Sequence, residues 1–330
     1  MKYRPLGVTD ILVSEIGFGG WGIGGVRDGA LSYGPVDDAE SLAALRRAFE
    51  RGVTFFDTAG LYGYGHSEQI IGRAFRRDRA RVVIASKGGL LNAAGDQDFS
   101  AAHLRQSVEA SLRRLQTDYI DVYQLHNPPV DAMSADDPAI VELQQMQREG
   151  KIRAVGLSGR SPEDALTAAG RLCVAAVQAN FSMIDQRATG IGLFERCQTE
   201  GIGVICRTPL CYGFLTHKYA RSAERAFAPG DHRLNWSDGQ IARWAEAPAV
   251  FEDVRQRAAQ SAGQLALRFC LSYTGVATVI PGMLTIDQVE ENVAASDMGP
   301  LPESDLREIE RLYATRDFFV RPATLAHSAS

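Results

Sequence analysis

The chain has 330 residues, 45% of them hydrophobic and 23% charged, the balance of an ordinary globular protein. Its 35 Lys and Arg against 40 Asp and Glu leave a net charge of -5, which gives no electrostatic footprint for nucleic acid. No apolar run approaches membrane-spanning length, and the start Met1-Lys2-Tyr3-Arg4-Pro5-Leu6-Gly7 has no apolar export segment, so the cytoplasm is the expected location.

Cys173, Cys197, Cys206, Cys211 and Cys270 are odd in number and contain no CxxC pair, so reduced thiols are expected rather than disulfides or a structural metal.

In chain order, Lys2 to Val13 predicts a short hairpin turning near Val8-Thr9-Asp10, and Ile16 to Gly20 a buried strand running into a glycine-rich loop. Asp38 to Arg51 places Leu42, Leu45 and Phe49 on one helical face. The apolar run Thr54 to Phe56 is a second strand, with Asp57 at its end, where a carboxylate is costly unless paired. Tyr62 follows on a loop punctuated by Gly60, Gly63 and Gly65, and Ser67-Glu68 opens a helix carrying Ile70, Ile71, Ala74 and Phe75. Arg81 to Lys87 is a third strand, ending in a lysine, and Ala101 to Leu115 is a helix with Leu104, Val108, Leu112 and Leu115 on one side.

The same alternation continues. Tyr119 to Leu125 is a strand tipped by His126 before Asn127-Pro128-Pro129 breaks it, and Asp137 to Glu149 is helical. Ile152 to Leu157 is tipped by Ser158, Pro162 to Ala169 is a helix, Val174 to Val177 is tipped by Gln178, and Ile191 to Thr199 is a helix. Val204 to Cys206 is tipped by Arg207, and Ala277 to Ile280 precedes Pro281-Gly282.

Eight strand candidates each followed by helical or mixed sequence, with no linker between them, predict a closed (β/α)8 TIM barrel with an N-terminal β-hairpin and long active-site loops. It forms one domain over 1–330, with its core at about 1–300 and a C-terminal helix and tail at 301–330. An open doubly wound sheet fits less well, because the helix after Gly17 to Gly25 begins only beyond Val36. Alone, Asp57 reads as a loop cap, Tyr62 as a loop anchor and Lys87 as a snorkelling surface group. In a barrel all strand ends converge on one mouth, so Asp57, Lys87, His126, Ser158, Gln178 and Arg207 surround a single site and Lys87 is the natural partner of Asp57.

Phe56-Asp57-Thr58-Ala59, Tyr62-Gly63, Gly65-x-Ser67-Glu68, Ser86-Lys87-Gly88 and Leu125-His126 together resemble the aldo-keto reductases, from the hairpin to about Ala295. The resemblance implies Asp57, Tyr62, Lys87 and His126 as the catalytic residues. It implies nicotinamide contacts from Ser158 and Gln178, although Gly159 stands where the family usually has asparagine. Arg207-Thr208-Pro209-Leu210 resembles the segment that stacks on the nicotinamide and wraps the pyrophosphate, with an arginine in place of the usual aromatic. Gly213, Leu215 and Lys218 continue that pattern, Gly20 and Trp21 join the cofactor set, and Gly282, Gln288, Glu291 and Asn292 resemble the adenosine-binding segment.

The implied chemistry is carbonyl reduction, or the reverse, with NADP(H) or NAD(H). A neighbouring Lys87 ammonium favours a phenolate at Tyr62 and so makes that tyrosine the acid and base, Asp57 orients Lys87, and His126 meets the substrate oxygen. The adenosine segment offers no cation for a 2′-phosphate, so the lean to NADP(H) rests on Lys218 and Arg233. Two alternatives stay open: a cofactor-sensing regulatory subunit of the same fold, and a Schiff-base enzyme using Lys87. The expected partner is a small carbonyl or alcohol, with pocket walls from Trp21 to Tyr33, Asn127 to Asp136 and Cys211 to Ala247, and Phe318-Phe319 from the tail as a further candidate. Trp21, Tyr33, Trp236 and Trp244 are candidate walls, with Trp236 and Trp244 alternatively anchors of the long loop, and His232 and Arg233 are candidate contacts for a phosphate or carboxylate.

Overall fold

A computed structural model describes residues 1–27, 30–220 and 227–320 of the chain. The expected loop walls at 28–29 and 221–226 and the tail at 321–330 lie outside the described residues. Strands β1 (Tyr3–Pro5) and β2 (Leu12–Ser14) form the antiparallel hairpin, with Tyr3 opposite Ser14.

Eight further strands follow: β3 (Phe18–Gly19), β4 (Phe55–Asp57), β5 (Val83–Gly88), β6 (Ile120–His126), β7 (Ile152–Ser158), β8 (Ala176–Asn180), β9 (Gly203–Arg207) and β10 (Val276–Val279). They neighbour one another in chain order and pair in parallel. Parallel bridges from Ile16 to Val279 and from Gly19 to Gly282 join the last strand to the first, so the sheet closes as a barrel.

The helices are α1 (Trp21–Gly24), α2 (Asp38–Glu50), α3 (His66–Phe75), α4 (Ala101–Leu115), α5 (Pro138–Arg148), α6 (Pro162–Arg171) and α7 (Arg187–Gly190). After them come α8 (Leu193–Glu200), α9 (Asp238–Val250), α10 (Glu252–Gln256), α11 (Ala262–Leu271), α12 (Ile286–Met298) and α13 (Glu303–Ala314). Helix α4 shows why these boundaries fall where they do. Ser100 accepts from the His103 N–H at its start, and Leu104, Val108 and Leu115 are buried along one side. The helix expected from Ile191 begins instead at Leu193, because Gly192 takes the left-handed conformation at φ 74° and separates it from α7. No described helix is long and apolar enough to cross a membrane. Cys197, Cys206, Cys211 and Cys270 are buried free thiols and Cys173 is exposed.

The barrel interior is stacked by polarity. Leu6, Ile11 and Val13 of the hairpin region pack with Phe55, Val83, Ala85, Val122, Ala154, Ala176, Ile205 and Ala277, an apolar plug. A fully buried phenylalanine such as Phe55 contributes about 1.5–3 kcal/mol. Strand side chains alternate with period two, so the next inward positions toward the carboxyl ends are Asp57, Lys87, Gln124 and Gln178. All four are buried. Gly156, opposite Gln124 in register, makes that layer possible: a Cβ there would lie 2.9 Å from Gln124 Cγ.

Candidate active site

At the carboxyl ends of β4 and β5, Lys87 Nζ donates to Asp57 Oδ1 at 2.5 Å and to the Thr58 carbonyl at 2.9 Å. The same nitrogen stands 3.4 Å from the Tyr62 hydroxyl. Asp57 and Lys87 are 2% and 1% exposed, a burial that only a closely paired and fully bonded ion pair tolerates. The second carboxylate oxygen is satisfied too, accepting from Gln178 Nε2 at 2.8 Å and from Gln124 Nε2 at 3.3 Å.

The Tyr62 loop is anchored at both ends. Thr58 Oγ1 donates to Ser67 Oγ at 2.8 Å, and Ser67 Oγ donates to the Gly20 carbonyl at 2.8 Å. Buried Glu68 accepts from Ser86 at 2.5 Å and from Arg114 Nε at 2.6 Å, tying the helix after Tyr62 to the residue before Lys87. Gly63, at φ 58°, backs onto α1, where a Cβ would come within 2.2 Å of the Gly24 carbonyl oxygen.

His126, at the tip of β6, meets Tyr62 edge-on with ring centroids 6.0 Å apart. Burial, then the charges of Lys87 and Arg207, hold its pKa well below the ordinary histidine value, so it is neutral. Its Nδ1 is buried with no partner among the described residues. Ser158 lies opposite His126 and donates to Gln178 Oε1 at 3.4 Å.

Arg207 ends β9. Its Nε donates to Asn180 Oδ1 at 2.6 Å and its Nη2 to the carbonyls of Gly159 at 2.7 Å and Arg160 at 3.2 Å. The glycine at 159 has a steric reason, since a Cβ there would stand 2.9 Å from both Asp164 Cβ and the Ser161 carbonyl oxygen. Beyond Arg207 the backbone is strained: Thr208, Cys211 and Tyr212 are left-handed at φ 56°, 43° and 56°, with Gly213 at 90°. Such runs of non-glycine residues mark functional loops and turn peptide N–H groups into anion-binding concavities.

A cavity of about 720 Å³ connects these parts, within the range of small-molecule sites. Asp57, Tyr62, His126, Gln178 and Arg207 line it, and so do Gly282, Gln288, Glu291 and Asn292. Thr208, Pro209, Leu210, Gly213, Lys218 and Arg233 also lie on its walls. Gly20 and Ser158 are not wall residues: Gly20 donates its N–H to the Asp57 carbonyl at 2.7 Å, and Ser158 is bonded behind Gln178. Leu215 is buried off the wall.

The aromatic wall is only partly the expected one. Trp21 packs on Tyr33 and His232, each at 4.9 Å between centroids, and all three line the cavity together with Tyr212. Trp236 and Trp244 stand behind it, Trp236 against Tyr212 at 4.5 Å and Trp244 against Trp236 at 4.8 Å. Neither is a wall residue. Arg233, expected at a phosphate, lies on the cavity wall and also has an acidic partner. Its Nε and Nη2 grip Asp231 at 2.9 and 2.6 Å, it donates to the Tyr219 hydroxyl, and it lies over the rings of Tyr33, Tyr219 and Phe227. That charge is already balanced. His232 is likewise pushed below its ordinary pKa, chiefly by burial, and offers no cation.

Gln124, Asn180, Arg114, Glu68 and Tyr212 complete the site without having been singled out in the sequence for these contacts. Gln124 carried a signal, an amide inside the apolar strand Ile120–His126.

The parallel barrel thus brings an aspartate and a neutral histidine at strand tips, and a tyrosine on the following loop, to one cavity, with a buried lysine behind them. The model of the Aldo/keto reductase family matches residues 15–314, and the chain belongs to that family, nicotinamide-dependent oxidoreductases acting on small carbonyl compounds. Among its relatives, the NADH-specific methylglyoxal reductase of Escherichia coli is 33% identical, covering 89% of this chain and 93% of that protein. The L-galactose dehydrogenase of Arabidopsis thaliana is 31% identical, with 89% and 88% covered. The holo form of an aldo-keto reductase from Bacillus halodurans is similar in structure at TM-score 0.75, 31% identity, with 94% of this chain and 96% of that one covered. The apo form of the same protein gives 0.68 at 30% identity, with the same coverage.

Proposed function

We propose that this protein reduces an aldehyde or ketone to an alcohol, or runs the reverse, with Tyr62 as the general acid and base. The observation that carries this reading is the buried Lys87 ammonium held between Asp57 at 2.5 Å and the Tyr62 hydroxyl at 3.4 Å. When bound, the nicotinamide cofactor supplies the hydride that goes to the carbonyl carbon. Tyr62 gives its phenolic proton to the carbonyl oxygen, and Lys87 stabilises the phenolate left behind. Asp57 keeps Lys87 charged and aimed. His126, neutral, offers a ring N–H to the same oxygen and selects the substrate's pose. A Schiff base on Lys87 is the poorer reading, since that chemistry needs a free neutral amine and this one is buried in an ion pair.

The wall residues fit a dinucleotide. Gln178 faces the cavity, the strained Thr208–Gly213 backbone suits a pyrophosphate, and Gln288, Glu291 and Asn292 suit an adenosine. Lys218 makes no ion pair among the described residues and is the contact we assign to a 2′-phosphate, which favours NADP(H), with NAD(H) as the alternative. A cytoplasmic location fits this chemistry. The test follows reduced-cofactor absorbance with a panel of aldehydes and ketones, using NADPH and NADH side by side. Carbonyl-dependent oxidation that Tyr62→Phe abolishes is expected; cofactor binding without turnover of any carbonyl would favour a regulatory subunit instead.

A further inference from the structure

Two cations of the cavity wall, Lys218 and Arg207, make no ion pair among the described residues, and Arg207 is placed at the tip of a barrel strand. Lys87 has Asp57 at 2.5 Å, and Arg233 has Asp231 at 2.6 Å. Arg207 is held by an amide oxygen and two peptide carbonyls, all neutral, and makes no ion pair among the described residues. Those bonds hold the Nε and Nη2 edge of the planar guanidinium, so the group is oriented as well as uncompensated. It lines the cavity with Asp57, Tyr62, His126 and Gln178. Its field reaches the reacting groups, since after burial and Lys87 it is the next cause holding His126 neutral.

A hydride donor must touch the carbon whose oxygen meets Tyr62 and His126, which puts its redox-active ring within that field. The oxidised nicotinamide ring carries one positive charge that the reduced ring lacks, while phosphates and adenosine are common to both. We propose that Arg207 makes the site discriminate between the redox states of its cofactor, holding the reduced, ring-neutral form and repelling the oxidised, ring-cationic form. The inference rests on the nicotinamide-dependent reading above. Its consequence is twofold. Oxidised product leaves readily, so the free enzyme is charged with reduced cofactor even when both forms are present. Linkage also raises the potential of the bound couple, by about 30 mV for each tenfold difference in affinity.

The experiment measures dissociation constants for NADPH, NADP+, NADH and NAD+ with no carbonyl present, at one fixed salt concentration, by calorimetry. Because the phosphates cancel, the reduced-to-oxidised ratio isolates the ring. In the unmodified protein the reduced form should bind tighter by on the order of tenfold, the scale of a partly screened unit charge near a second one. Arg207→Lys, which keeps the charge, should keep the preference; Arg207→Gln should bring the two forms to within about threefold. A ratio near one in the unmodified protein overturns the proposal whether or not the variants fold, as does a ratio unchanged in Arg207→Gln. Failure of all four dinucleotides to bind would sink the cofactor reading itself, a result distinguishable from either.

Discussion

The two halves of the mouth are built on opposite terms. On the β4 to β6 side Asp57, Lys87 and His126 sit on strands, buried, with each polar contact of Asp57 and Lys87 filled, and half-buried Tyr62 follows on an anchored loop. On the β9 side Arg207, without a counter-charge among the described residues, ends the strand, and the wall beyond it comes from a loop with left-handed residues and tilted aromatic pairs. The difference teaches where rigidity is spent. Proton chemistry needs geometry fixed to a fraction of an ångström and takes it from the sheet, whereas recognition is left to a loop that can vary on the same frame.

The largest expected effect breaks the rigid half. Lys87→Met leaves Asp57 buried with two amides and no cation, so unfolding free energy should fall by about 3–5 kcal/mol and turnover by roughly 10² or more. Denaturant titration beside initial rates checks both. Adding Asp57→Leu should restore part of the stability and none of the turnover; recovery of both would mean the pair is structural. Tyr62→Phe separates chemistry from architecture. Turnover should fall by about 10² or more while cofactor affinity stays within a few fold, because the ring remains and only the proton donor is lost. Near-normal turnover in that variant would remove Tyr62 from its role.

This contrast also sets what the sequence discloses. A strand with period two and a tip residue is local information, and so Asp57, Lys87, His126, Ser158, Gln178 and Arg207 were legible as one ring once eight strands were counted. The hairpin and helix α4 were legible for the same reason. Partners remote along the chain were not. Nothing near Arg233 in the pattern of loop residues says that its charge is consumed by Asp231 and three rings, and nothing near Arg207 names Asn180 as its acceptor. Trp236 and Trp244 read equally as walls or as anchors of the loop, because aromatics in a long loop do not disclose which of them faces inward.

The loop half supplies a smaller effect. With Arg233 paired, Lys218 alone should distinguish the dinucleotides: Lys218→Ala should weaken NADPH by about tenfold and leave NADH within twofold, with the loss fading at high salt. Equal weakening of both would assign Lys218 to the pyrophosphate instead. Arg233→Ala should act through stability, by stranding Asp231, rather than through that selectivity.

The smallest effect is a pH dependence shared by both halves. His126, facing Lys87 and Arg207, and His232, beside Asp231 and Arg233, both titrate lower in the fold than in the unfolded chain. Below an unfolded histidine value of about 6.5 the unfolded chain therefore binds more protons than the native state. Stability is then fully present above that value and is lost progressively as pH falls from it toward the depressed native values. Carboxylates such as Glu149 and Glu252, held near about 2 by their arginine partners, remain charged through this window and do not mask it. Denaturation midpoints at pH 8 and pH 5 should differ in the unmodified protein, and the difference should shrink in His232→Gln and in His126→Gln. The larger share should belong to His126, the more deeply buried ring with two cations near it and no anion among the causes of its shift. A larger share for His232 would mean that the loop half, not the strand half, carries the acid sensitivity of the fold.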